Sequence, residues 1–251
     1  MSAKFKAFTI QPEYVTIFGF FFYYIRFKSF TKPRSMKAMI YVFALFVLMG
    51  CSTTPDWQPL FSKDLSNAWD EKGAWYYDGD VLTSTEDASI FTTVEHENFI
   101  LDLEFRNSQG SNSGVIVYCT NRKDWIPNSV EIQIADDYYY MDTDWVPNYM
   151  CGGIFGHLAP TSTLVKPAGE WNHMRIRCKG QQITVTLNGE VSADMDMSEW
   201  TSSTINPDGS DIPSWFPTPF AELPTKGYIG LQGIHGEANI YFRNVRIIGL
   251  Q

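Results

Sequence analysis

The sequence predicts an all-β protein, a two-sheet antiparallel sandwich of the jelly-roll kind, and three observations predict it. Apolar and polar residues alternate with period two in one short segment after another. Gly, Asn, Asp and Pro turn residues bound these segments, and no apolar stripe of helical spacing is longer than about eight residues. Aromatic residues make up 16% of the 251 residues, with 18 Phe, 13 Tyr and 8 Trp, a share that suits sheet surfaces better than a helical bundle. At 44% hydrophobic and 19% charged, the chain has enough apolar material for a core and is not intrinsically disordered.

The first 50 residues read as an address rather than as part of that fold. Residues 36–51 place Lys37 beside Met36, follow it with an apolar run of about a dozen residues and end on Gly50-Cys51, the layout of a bacterial secretory signal. The run is too short to cross about 30 Å of hydrocarbon as a helix. Its ending, Leu48-Met49-Gly50-Cys51, resembles the lipobox of bacterial lipoproteins, with Cys51 the acylated residue. The expectation is export and anchoring to the cell envelope through lipid on Cys51, with translation starting at Met36. Residues 1–35, with the aromatic-rich run 14–25, are then an upstream extension; the alternative is a two-segment membrane anchor. Residues 51–56 serve as a linker, and the fold occupies 57–251.

Within that domain, Phe99, Leu101, Leu103 and Phe105 alternate with Ile100, Asp102, Glu104 and Arg106, a half-buried strand with one apolar face. The same period marks 130–134, 174–179, 183–188 and 228–232, and the apolar run 115–118 reads as a further strand. Asn188-Gly189 is the strongest hairpin signal and Lys179-Gly180 marks the turn before it, so 171–179, 182–187 and 190–193 form a meander. About ten such strands fold into two packed sheets. Residues 194–226, with five prolines, form a long loop across one end of the sandwich. The loop's Trp200, Trp215 and Phe216 either clamp it to the body or face a ligand.

Of 19 Lys+Arg and 28 Asp+Glu, seven and one lie in residues 1–50, leaving 12 against 27 and a net charge of −15 beyond them. That field repels phosphate backbones and excludes nucleic acid as a partner. Cys119, Cys151 and Cys178 form no C-x-x-C pair, so they build no metal framework; one bridge with a spare thiol and three separate core thiols both fit.

Chemistry is expected where polar side chains alternate with core residues. Glu104, Arg106, Glu131, Gln133, Gln232 and Arg243 are expected on one concave sheet face, groups suited to bidentate hydrogen bonds with sugar hydroxyls. A salt-bridged sheet face is the alternative. Asn112 lies in the turn leading into the strand 115–118, and Trp125 and Tyr138 offer rings for a sugar to stack on. His235, in Gly233-Ile234-His235-Gly236 at a strand end, is placed to act as a general base near neutrality; a turn His bonding to a nearby carbonyl is the alternative. The signatures of serine-triad hydrolases, nucleotide sites and zinc proteases are missing. No cofactor is certain; the acidic run 135–144 has the oxygen chemistry for a divalent cation such as calcium, without the EF-hand Gly and Glu.

With these pieces in place the chain resembles the 3-keto-disaccharide hydrolase domain family. The resemblance rests on Pro59-Leu60-Phe61 with Trp69, Asp78-Gly79, Glu104-Phe105-Arg106, Asn112-Ser113-Gly114, Glu131-Ile132-Gln133-Ile134, Gly169-Glu170-Trp171-Asn172, Leu187-Asn188-Gly189, and Gly227 to Gln232 with His235-Gly236 and Phe242-Arg243-Asn244. It implies a concanavalin A-like jelly roll acting on glycosides or disaccharides oxidised at carbon 3. There the ketone acidifies the hydrogen on carbon 2, a base removes it, the glycosidic oxygen is eliminated and water adds back. On that reading Glu131 or His235 is the base and Arg106 and Arg243 stabilise the enolate. Asn112, Gln133 and Gln232, with Glu104, Trp125 and Tyr138, hold the sugar. Two departures, the long proline-rich loop and the two residues between Gln232 and His235, leave the substrate open. A carbohydrate-binding module without chemistry and a two-carboxylate glycosidase using Glu104 and Glu131 are the competing readings.

Overall fold

The computed structural model describes residues 13–17, 20–24, 56–235 and 238–250. The signal segment with Met36, the Leu48-to-Cys51 motif and most of the linker lie outside the described residues. Glu13–Ile17 (β1) and Phe20–Tyr24 (β2) pair antiparallel, from Glu13 opposite Tyr24 to Ile17 opposite Phe20. Among the described residues no helix is long and apolar enough to cross a membrane.

From residue 56 onward the period-two segments pair into two antiparallel sheets. The short leading strands are Gln58–Pro59 (β3), Ala68–Asp70 (β4), Trp75–Asp78 (β5), Val81–Ser84 (β6) and Ser89–Thr92 (β7). The longer ones are Phe99–Asn107 (β8), Asn112–Cys119 (β9), Val130–Ala135 (β10), Trp171–Lys179 (β11), Gln182–Leu187 (β12), Glu190–Asp196 (β13), Tyr228–Gln232 (β14) and Ile240–Gly249 (β15). One sheet runs β10-β9-β14-β7-β4; the other runs β13-β12-β11-β8-β15-β6-β5, with β3 pairing on β15. The architecture is the expected two-layer antiparallel jelly-roll sandwich. β3 to β7 are too brief to show the alternation that reveals the others.

The meander falls where the turn residues place it. Asn188 and Gly189 both take positive φ, 52° and 93°, the mirror-image turn whose twist matches the flanking strands. Leu101, Leu103, Phe105, Met174 and Phe242 from the larger sheet meet Val115, Ile132, Ile134, Leu231 and Ile90 from the smaller, all fully buried. Each such side chain contributes roughly 1.5–3 kcal/mol of transfer free energy. Their alternate neighbours therefore point away from the core, on opposite outer surfaces of the sandwich. Cys119, Cys151 and Cys178 are buried and unbridged. Of the loop aromatics, Trp200 and Phe216 pack onto the body and Trp215 stays exposed.

Candidate active site

Residues directly opposite each other on adjacent strands share a sheet face. On the smaller sheet Glu131 lies opposite Ile116, Ile116 opposite Gly230, Gly230 opposite Phe91, and Phe91 opposite Trp69. This row faces outward, since Ile132, Val115, Leu231 and Ile90 between its members belong to the core. At the strand spacing it crosses about 19 Å, with Ile116 and Phe91 buried beneath the aromatic side chains that pack on them. The next row holds Gln133 opposite Gly114, with Gln232 opposite Ser89, and beyond it Asn112 bridges His235. Beyond Glu131 the edge continues: Phe155 N–H donates to Glu131 O at 3.0 Å and Ile154 bridges Ile132, so Phe155 stands beside Glu131 on the same face.

Glu131 is the anomalous group on this face. It is 6% exposed, its carboxylate has no hydrogen-bond donor among the described residues, and burial pushes it up to about 8. Gly114 makes this placement feasible, because a Cβ there would collide with Glu131 Oε1. Beside it Gln133 Nε2 donates to Asn112 Oδ1 at 3.0 Å. The far end of the row is aromatic: Phe91 and Ile116 pack with Trp69, Trp125 and Tyr228, and the Arg122 guanidinium lies 4.9 Å from the Trp69 ring and 4.3 Å from that of Tyr228. Trp125 thus joins this face, as does Gln232, whose carbonyl accepts from Ser113 Oγ at 2.7 Å.

His235 sits at the rim. Its Nδ1 lies 3.0 Å from Asp87 Oδ2, in an exposed pair. Ile234 N–H donates to Ser84 Oγ at 3.1 Å and Gly233 N–H to Ala88 O at 2.9 Å, which anchors the segment between Gln232 and His235. Two strand spacings across and four residues along separate Glu131 from His235, about 17 Å between backbones. The two cannot reach one carbon, so the choice of base falls between them rather than on both.

The expected convergence of six polar residues does not occur. Glu104, Arg106 and Arg243 project from β8 and β15 on the outer surface of the larger sheet, facing away from Glu131, Gln133 and Gln232. Period two gives both sheets a polar outer face, and in a two-layer body those faces point in opposite directions. Glu104 receives Arg243 Nε at 2.7 Å and Asn244 Nδ2 at 2.8 Å; burial works to raise it, but these donors hold it below the usual carboxylate range. Arg106 packs between Trp171 and Tyr241, 5.0 Å and 4.6 Å from the ring centres. This is the salt-bridged sheet alternative, realised on one sheet. Glu104 and Glu131 belong to different sheets and cannot flank one glycosidic bond, so that carboxylate pair is excluded.

Tyr138, 48% exposed, leaves the Glu131 face as well; it lines a hollow of about 630 Å³ at one end of the sandwich with Arg106, Asp136 and Tyr139. The acidic run begins in structural roles: Asp136 Oδ2 accepts from Gly110 N–H at 2.9 Å and Asp137 Oδ1 from Cys151 N–H at 2.8 Å. Burial pushes Asp137 up to about 6. Among the described residues no three His, Cys, Asp or Glu side chains are grouped as ion ligands. Phe155, Phe91 and Arg122 are functional candidates that alternation does not single out, because they surround the site from an edge segment, a short strand and a loop.

A family model described as 3-keto-alpha-glucoside-1,2-lyase-like domain matches residues 56–248. A crystal structure of a candidate glycosyl hydrolase from Parabacteroides distasonis ATCC 8503 is 58% identical, covers 78% of this chain and 100% of that one, and superposes with a TM-score of 0.75. Two further candidate glycosyl hydrolases of that organism, 21% and 23% identical, cover 78% of this chain and 94% and 84% of theirs, with TM-scores of 0.63 and 0.56; they attest the fold. No curated protein matches the chain.

Proposed function

The chain belongs to the 3-keto-alpha-glucoside-1,2-lyase-like family, and from that premise we propose that it cleaves glycosides oxidised at carbon 3, with Glu131 as the base. The observation that carries this reading is the dry carboxylate of Glu131. A carboxylate with a pKa about 8 binds a proton more tightly than an ordinary glutamate, which suits it to a weakly acidic C–H beside a ketone. Glu131 takes the proton from carbon 2, the C–H electron pair enters the ketone as an enolate, and the bond from carbon 1 to the glycosidic oxygen breaks. The leaving oxygen takes a proton, carbons 1 and 2 share the new double bond, and addition of water across it completes hydrolysis. The donors beside Glu131 for the enolate oxygen are the amides of Gln133, Asn112 and Gln232, in place of Arg106 and Arg243. His235 and Asp87 form a rim contact, and Trp69, Trp125 and Tyr228 supply the stacking floor.

Purified chain incubated with a 3-keto glucoside and its unoxidised parent is expected to cleave the oxidised compound alone, with exchange of the carbon 2 hydrogen in heavy water. Glu131→Gln is expected to lower turnover roughly 100- to 10,000-fold, the usual worth of a general base. Near-normal cleavage by that variant refutes the assignment. Binding of both sugars with cleavage of neither favours the second reading, a lectin-like module, to which the aromatic floor is equally suited. Attachment to the envelope through Cys51 is part of the same proposal, tested by mass spectrometry of the exported protein for an acylated Cys51.

A further inference from the structure

The long crossing segment leaves one large ring in solvent. Trp200 and Phe216 are explained by packing: the Trp200 indole donates to Asn206 Oδ1 at 3.0 Å, and Phe216 lies edge-on to His157 at 4.8 Å. Trp215, 49% exposed, has no such explanation. It walls a hollow of about 470 Å³ together with Val146, Asn148, Tyr149, Asp208 and Asp211. Asn148 is 8% exposed and its Oδ1 has no hydrogen-bond partner. An aromatic wall with two carboxylates and an amide matches a neutral pyranose, whose apolar face stacks while its hydroxyls donate. The same carboxylates repel an anionic ligand.

The hollow adjoins the Glu131 face. Phe155 pairs with Glu131 across the sheet edge, and the Tyr149 ring, which lines the hollow, is 4.7 Å from the Phe155 ring. Phe216 links Phe155 at 6.1 Å to Trp215 at 6.3 Å. One ring therefore separates the residue flanking the base from the hollow. We propose that the Trp215 hollow is the subsite for a neutral sugar on the leaving-group side, which makes the substrate a di- or oligosaccharide rather than a small alkyl glucoside. This rests on the Glu131 reading for its orientation.

Kinetics of the full chain and of Trp215→Ala on 3-keto methyl α-glucoside, 3-keto maltose and 3-keto maltotriose test it. The variant is expected to raise KM roughly five- to tenfold for the two oligosaccharides, the worth of one lost stacking contact, and to leave the methyl glycoside unchanged. An equal effect on all three, or on none, overturns the subsite. A separate titration follows tryptophan fluorescence as unoxidised maltose and maltotriose are added to Glu131→Gln with and without Trp215→Ala. Saturable quenching that needs Trp215 supports the subsite even if every oxidised substrate stays intact, a result that sinks the elimination alone. No saturation with either sugar up to millimolar concentration sinks the subsite while leaving the catalytic reading standing.

Discussion

Replacing Glu131 by Gln is expected to stabilise the protein, and by an amount that depends on pH. The Glu131 carboxyl has a folded pKa about 8 against an ordinary 4.5, so the folded state holds its proton where the unfolded state releases it. Stability is therefore fully present below pH 4.5 and is lost progressively as pH rises through 8. At pH 7 the difference in proton affinity amounts to about 3 kcal/mol, and at pH 4 to almost nothing. Gln carries no proton to lose, so Glu131→Gln recovers that amount at pH 7 alone. Any fixed cost of burying the amide is the same at both pH values and cancels between them. Thermal unfolding of the two proteins at pH 4 and pH 7 gives the measurement. The Tm of the variant relative to the parent should climb by roughly 6–12 °C between those pH values for a domain of this size. A Tm difference that does not change with pH would falsify the dry, proton-holding carboxyl, and the base assignment with it.

Three further outcomes follow from named contacts. Gly114→Ala puts a Cβ against Glu131 Oε1; it should cost about 1–3 kcal/mol in a urea melt and turnover should fall with it, while Gly249→Ala, with no neighbour near the added atom, should leave turnover unaltered. Asp102, 2% exposed, meets Arg175, His173 and Arg246; although burial works to raise it, those donors hold it below its usual range. Its contribution is present above the unfolded pKa of 3.8 and lost as pH falls through the lower folded value, so Asp102→Asn should lower stability by about 2 kcal/mol at pH 7, after allowing for water reaching the three cations, and by less in acid, as calorimetry at pH 7 and pH 2 would show. Burial pushes the thiols of Cys119 and Cys178 up to about 11 and about 12 and raises that of Cys151. A thiol reagent at pH 8 should therefore leave these three unlabelled in the folded chain and modify all three in denaturant; labelling of any one under native conditions contradicts its burial.

Alternation along 99–106, 130–134 and 228–232 made the strands and their inward faces readable, because burial selects every second residue and the pleat does the rest. Asn188-Gly189 located its hairpin because the turn demands two positive φ values. The distribution of polar residues between the two outer faces was not readable. Glu104 and Glu131 look alike in sequence, each between apolar neighbours, and only long-range pairing assigns β8 to one sheet and β10 to the other. One local trace was present: Gly114, in Asn112-Ser113-Gly114, marks a position where a longer side chain across the strand can take the place of a Cβ. Its partner could not be named before the register of β9 on β10 was known. Phe155 was hidden for a related reason, since it joins the sheet edge through a single bridge next to it rather than through a strand of its own.

The two outer faces show how one set of residue types serves opposite ends. On the larger sheet the buried Asp102 and the half-buried Glu104 have cations or amides at hydrogen-bond distance: Asp102 has three donors and Glu104 has Arg243 and Asn244. These contacts favour the ionised form and make the groups structural, poor at accepting a proton near neutrality. On the smaller sheet Glu131 is as dry as Asp102 yet has no donor, so the same dehydration that is offset on one face is left uncompensated on the other. A purely structural sheet would relieve that strain with a donor from a neighbouring strand; across the strand stands Gly114, and the Glu131 carboxylate itself fills the place of its Cβ. The glycine lets the carboxyl lie down on the sheet without a counter-ion, which keeps it proton-hungry. The missing counter-ion, rather than the number of polar residues, is therefore what separates the candidate catalytic face from the salt-bridged one.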